Sequence, residues 1–184
     1  MALYAIGDLH LCLGAPKPMD IFGGAWVGYM DKLREGLSVI GPEDTTVLLG
    51  DLSWALDLPS SKADFAWINE IPGRKIILKG NHDLWWSTAK KLHSFLEENN
   101  INSVDIIFNN CKIVEGYAIA GTRGWFYDQS EDDKIRKREV GRLLLSFDAA
   151  EKLGGEKARL SERKETMEKE FEDIQNKLYD EYEL

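Results

Sequence analysis

Three times along the chain, a short apolar run of β-forming residues ends in glycine and gives way at once to polar groups. Ala2-Leu3-Tyr4-Ala5-Ile6 runs into Gly7-Asp8-Leu9-His10, and Thr45-Thr46-Val47-Leu48-Leu49 runs into Gly50-Asp51. Lys75-Ile76-Ile77-Leu78-Lys79 runs into Gly80-Asn81-His82-Asp83. Such runs predict buried strands, and a terminal glycine lets the backbone turn sharply. Enough chain lies between them for parallel crossovers through helices. Helical rhythms fill those gaps. Val27, Met30, Leu33 and Leu37 predict a helix over about 26–39. A second is predicted from about Ser61 to Ile71, with Phe65 and Ile68 inward and Pro72-Gly73 as its stop. A third covers about 87–98 and ends at Asn99-Asn100.

Beyond this point the rhythm changes. Residues 105–108, 112–115 and 117–120 are short β-type runs separated by Asn109-Asn110 and Gly116, which predicts a meander or hairpin in a second sheet. From about Asp132 the pattern is helical, with a break at Gly154-Gly155. In the tail, Leu160, Met167 and Ile174 stand at heptad spacing, as do Phe171 and Leu178, with Lys164 interrupting the seam. This predicts a charged amphipathic helix over 156–182, appended to an α/β domain over 1–153. Either the helix lies on its own domain, or it joins a helical hairpin, within the chain or with a second copy of it.

An open parallel sheet collects ligands beyond the carboxyl ends of its strands. If the first three strands are neighbours, Asp8, His10, Asp51, Asn81 and His82 meet in one crevice. Alternation along an extended segment would put Asp8 and His10 on the same side. Asp51 could bridge two cations, and Asn81 adds a neutral oxygen. Mixed carboxylate, imidazole and amide donors suit Mn, Fe or Zn.

Composition narrows the function. The chain has 184 residues, 43% apolar and 30% charged, as expected of a globular protein with a substantial core. Its formal net charge of −9 argues against a broad nucleic-acid surface, since phosphate contacts need clustered Lys and Arg. Cys12 and Cys111 form no CxxC pair, the first residues lack a signal-peptide pattern, and no run is long enough to span a bilayer. The expectation is a cytoplasmic protein without membrane contact.

Gly7-Asp8-Leu9-His10, Gly50-Asp51 and Gly80-Asn81-His82-Asp83 resemble the first three signature blocks of the calcineurin-like metallophosphoesterase superfamily. Gly50-Asp51-Leu52-Ser53-Trp54, the extension through Leu84-Trp85-Trp86, and Gly121-Thr122-Arg123-Gly124-Trp125 resemble a bacterial branch of phosphohydrolases. The likeness covers roughly residues 1–150. It implies an α/β fold, the four-layer α/β/β/α sandwich, and two divalent metals acting on a phosphate ester, either a phosphomonoester or a phosphodiester. Asp8 and His10 would hold the first metal, Asp51 would bridge, and Asn81 would hold the second. His82 would protonate the leaving alkoxide, with Asp83 orienting its imidazole. Arg123 could clamp a phosphate. Trp54, Trp85, Trp86 and Trp125, near the motif loops, suit either a pocket wall or the core.

The family pattern continues with histidines that this chain lacks. It has three in all, and none follows His93, which a helical stretch places at the surface. The second metal would keep only Asp51 and Asn81. The resemblance therefore implies a C-terminally incomplete member with an added helix. Three readings stay open: an active phosphoesterase, a catalytically impaired metal- or protein-binding scaffold, and an assembly completed through the 156–182 helix.

Overall fold

A computed structural model of the chain describes residues 1–122 and, beyond them, residues 144, 168–169 and 171–176. The chain divides into two compact units, Met1–Ile106 and Ile107–Leu184. Arg123, Trp125, the 153/156 boundary and most of the 156–182 helix lie outside the described residues. Within the tail, residues 168–169 and 171–176 are helical, and Ile174 is buried. Among the described residues no helix is long and apolar enough to cross a membrane.

In the first unit strands and helices alternate. β1 (Leu3–Ile6), β2 (Thr45–Leu48), β3 (Arg74–Ile77) and β4 (Val104–Ile106) form one sheet in the order β1-β2-β3-β4. Every neighbouring pair is parallel, so each connection is a crossover. α1 (Tyr29–Leu37), α2 (Lys62–Glu70) and α3 (Ala89–Glu98) occupy the three crossovers. Ile6, Leu48, Ile77 and Ile106 are aligned across the ladder. The strands therefore stop level with one another, and their following loops leave the sheet at a common edge.

Burial explains why these segments are strands. β2 is buried at every position, as a central strand covered on both faces must be. Leu48, Ile77, Phe65, Ile68, Leu92 and Leu96 join Leu9, Leu11, Leu52 and Trp85 in the main apolar cluster. The loops carrying the polar motifs thus contribute their own leucines to the core. His93, on α3, is exposed as expected.

Two elements differ from the pattern-based expectation. The first helix starts at Tyr29, because Gly28 adopts a left-handed backbone (φ 66°) that no helix can include. Its N–H is instead held by Asp20 Oδ1 at 2.7 Å, and Val27 is left exposed. The apolar run after α3 was expected to join the second sheet through a turn at Asn109-Asn110. Val104–Ile106 instead pairs with β3, and Arg74 Nε lies 2.6 Å from Asp105 Oδ2 across that pair. A short apolar run does not say which neighbour it will bond, and the crossover through α3 returns it to the first sheet.

The second unit contains the expected hairpin. β5 (Asn110–Val114) and β6 (Tyr117–Gly121) are antiparallel. Glu115 and Gly116 connect them with φ of 52° and 81°, the paired positive angles whose twist matches a two-residue hairpin.

Lys75, within β3, is fully buried (0% exposed). Its ammonium donates to Ile71 O and, at 2.9 Å, to Gly73 O, so it closes the carboxyl end of α2 where a cation is favoured. Burial pulls its pKa down to about 8. Lys75→Met should leave the buried Ile71 carbonyl and the part-buried Gly73 carbonyl without this donor and destabilise the protein by about 2–4 kcal/mol. Urea unfolding would measure the loss. An unchanged midpoint would mean that water replaces the amine at no cost.

Candidate metal centre

The level strand ends bring the first two motif loops side by side. The ladder continues past the strands: Asp8 N–H donates to Gly50 O (3.0 Å), His10 N–H to Asp51 O (2.9 Å) and Leu11 N–H to Leu52 O (2.9 Å). Asp8, His10 and Asp51 all have left-handed backbones, with φ of 57°, 44° and 52°. Such angles are uncommon outside glycine and collect at functional sites, where the surroundings enforce them. They correct the expected extended geometry of Asp8-Leu9-His10. Two left-handed residues flank Leu9, whose side chain is buried in the core cluster.

The three side chains converge, each offering one ligand atom within 4.8 Å of the others. His10 Nε2 lies 3.5 Å from Asp8 Oδ1 and 4.0 Å from Asp51 Oδ2. His10 and Asp51 are buried, whereas the Asp8 side chain is 70% exposed, so the cluster opens to solvent on the Asp8 side. Burial pushes the His10 imidazole below its ordinary pKa, although Asp51 and Asp8 pull it upward. A neutral imidazole presents a lone pair, and the adjacent carboxylates supply charge. This donor set fits a divalent cation.

The third motif loop adds His82. Its backbone N–H donates to Asp51 Oδ1 at 2.8 Å. Its ring centroid lies 5.9 Å from that of His10 and 5.1 Å from that of Trp54. Asn81 and His82 are both exposed. The loops approach so closely that two glycines are required. A Cβ on Gly50 (φ 109°) would sit 2.5 Å from Gly80 N, and one on Gly80 would collide with Asp51 Oδ1 and N.

Asp83 has a different place from the one expected. It is fully buried, and its carboxylate gathers backbone from two loops rather than orienting His82. Oδ2 accepts from Asp51 N–H (2.8 Å) and Gly80 N–H (2.7 Å). Oδ1 accepts from Leu52 N–H (2.8 Å) and Trp85 Nε1–H (3.0 Å). Burial raises the carboxyl above the usual range while these donors pull it back.

A further buried carboxylate, Asp64 on α2, was not singled out by the sequence. It accepts from the Ser53 hydroxyl and from Leu13 N–H at 2.7 Å, tying the loop after His10 to the loop after Asp51. Burial again raises its pKa against those hydrogen bonds. A weak signal for it existed: an aspartate on the apolar side of α2, one position before Phe65.

The tryptophans divide. Trp85 is core, 2% exposed, and packs edge-on against Phe65 at 5.0 Å. Trp86 packs on the same cluster from a partly buried position. Trp54 belongs to the centre, stacked on His10 with centroids 4.6 Å apart.

A parallel α/β sheet with carboxylate and imidazole side chains converging at its strand ends defines a scaffold with a candidate metal site. The calcineurin-like phosphoesterase family matches residues 1–164, and the chain belongs to that family. Its parallel four-strand sheet flanked by helices is in keeping with that fold. Membership points to a metal-dependent phosphohydrolase that uses divalent cations. No curated protein matches the chain. Among solved structures, it is similar to a protein of unknown function, AQ665 from Aquifex aeolicus, at 24% identity and a TM-score of 0.45, covering 84% of this chain and 75% of that one. It is also similar to the phosphopantetheinyl hydrolase PptH from Mycobacterium tuberculosis, at 15% identity and a TM-score of 0.37, covering 76% of this chain and half of that one.

Proposed function

We propose that the chain hydrolyses a phosphomonoester or phosphodiester with the help of divalent cations, Mn, Fe or Zn. The observation that carries this reading is the convergence of Asp8, His10 and Asp51 on one point. Asp8, His10 and Asp51 would hold the first cation, and Asp51 with Asn81 would hold a second. Bound there, divalent cations supply Lewis-acid polarisation of the phosphoryl group and activation of water.

The protein's own groups do the rest. The buried imidazole of His10 and the carboxylate of Asp51 hold the centre rigid, while exposed Asp8 leaves a side open to an ester. Water adds to phosphorus as the ester P–O bond breaks, the leaving oxygen takes a proton from His82, and the proton given up by the added water passes to solvent. Two features support that role for His82: its backbone is tied to Asp51, and its side chain is exposed, so solvent can restore the proton.

Purified protein should hydrolyse an aryl phosphate only when Mn²⁺ is supplied. His82→Ala should lower kcat by about 10²–10⁴ while Mn²⁺ affinity by calorimetry stays near that of wild type. Equal turnover with and without Mn²⁺, or in wild type and His82→Ala, would defeat the mechanism. One observation favours a second reading, a metal-binding scaffold with little turnover: of the three histidines in this sequence, His10 and His82 already have roles and His93 is exposed on α3. Mn²⁺ binding without hydrolysis of any phosphate ester would select it.

A further inference from the structure

A metal-ligating histidine ordinarily donates its second ring nitrogen to a carboxylate or carbonyl, which fixes the plane of the ring. His10 departs from this. Its Nε2 faces Asp8 and Asp51, yet Nδ1 is buried and has no hydrogen-bond partner among the described residues. Some other contact must hold the imidazole plane.

Trp54 makes that contact. Its ring lies nearly parallel to the imidazole, at an interplanar angle of 17° and a centroid separation of 4.6 Å. Rotation about the His10 Cβ–Cγ bond would swing the imidazole edge into the indole face, so the stack blocks it. Asp8 and Asp51 then select which edge points inward. Trp26 stands edge-on to the same imidazole at 6.3 Å.

Trp54 is itself held from the loop that follows His10. Its backbone N–H donates to Leu11 O at 2.9 Å, and its indole N–H donates to Met19 Sδ at 3.3 Å. The Lys17 ammonium lies 3.2 Å from the ring centroid, a cation–π contact. Its aromatic neighbours are His10 and His82, and unlike Trp85 it is only partly buried. Packing alone does not call for this arrangement.

We infer that Trp54 is a positioning residue for the metal centre, holding the His10 plane by ring stacking in place of a hydrogen bond to Nδ1. The inference rests on the metal-site reading above, and its test includes a readout that needs no metal.

Trp54→Leu and Trp54→Phe would be compared with wild type after thermal melting confirms that each folds. If the Leu variant does not fold, Trp54→Met, closer in volume, takes its place. In metal-free protein, the His10 imidazole should give one narrow set of NMR signals in wild type and Trp54→Phe, and broadened or doubled signals in Trp54→Leu. With Mn²⁺, calorimetry should show the Leu variant about 10–100-fold weaker, the range typical of lost second-sphere support, and the Phe variant within about threefold of wild type. Narrow His10 signals with wild-type affinity in Trp54→Leu would overturn the inference. If wild type binds no Mn²⁺, the phosphoesterase reading fails, and the NMR comparison alone decides the role of Trp54.

Discussion

Gly80→Ala is expected to abolish Mn²⁺ binding and phosphate-ester turnover together. The added methyl would land on Asp51 Oδ1 and on Asp51 N, far inside van der Waals contact. Neither partner has room to retreat. Asp51 N–H is tied to Asp83, its carbonyl to His10 N–H, and Oδ1 to His82 N–H. On the other side, a Cβ at Gly50 would already sit 2.6 Å from Gly80 Cα, a measure of how closely the two backbones touch. The Asp51 carboxylate or the whole third loop must therefore shift. A displacement of about 1 Å at a reacting centre costs on the order of 10² in rate, and a displaced ligand weakens the cation as well. Calorimetry with Mn²⁺ and aryl-phosphate turnover would read both effects, with circular dichroism to confirm the fold. Wild-type affinity in Gly80→Ala would show that the loops have slack which this packing denies.

Asp83→Ala should be the most destabilising single change among the motif residues. Four N–H groups point at the carboxylate from 2.7 to 3.0 Å, contributed by Asp51, Leu52, Gly80 and the Trp85 indole. Each buried donor left without a partner costs about 1–3 kcal/mol, so even with water entering the gap the loss should exceed about 4 kcal/mol. That is a large part of the 5–15 kcal/mol that usually separates folded from unfolded chains, roughly speaking. Asp83→Asn should also destabilise, because its amide NH₂ must face N–H groups that need an acceptor. Urea unfolding of the three proteins tests this, and a loss below about 1 kcal/mol for the alanine variant would refute the clamp. The expected effect is on stability. A loss of turnover with unchanged stability would instead restore the role of orienting His82.

Much of the centre was legible in the chain because its cause is local. An apolar β-type run stopped by glycine states where a strand ends, whatever surrounds it, and three such runs with helical stretches between them imply parallel crossovers. The positions of Asp8, His10 and Asp51 follow from that alone. So does the surface position of His93, which the apolar side of α3 leaves outward. The hairpin at Glu115-Gly116 follows from turn chemistry between two β-type runs.

Other features depended on partners distant in sequence. Val104–Ile106 reads the same whether it pairs with β3 or with β5, because a three-residue β-type run names no neighbour. The left-handed backbones of Asp8, His10 and Asp51 were not marked by residue type alone, since aspartate and histidine enter that region more readily than most residues yet usually stay outside it. They arise where two parallel loops bond each other past the end of the sheet.

The same holds for the roles of the polar side chains. Asp83 beside His82 suggests a carboxylate that orients the imidazole when only the chain is in view, yet its hydrogen bonds reach back to the Asp51 loop. Asp64 appears as one more helix carboxylate until Ser53 and Leu13 are brought to it. The chain itself dictates which groups stand at strand ends, because hydrophobic periodicity and glycine act on nearest neighbours. Which carboxylate meets the cation site and which clamps backbone is set by the packed loops, because a buried acceptor takes whatever N–H groups the fold presents to it.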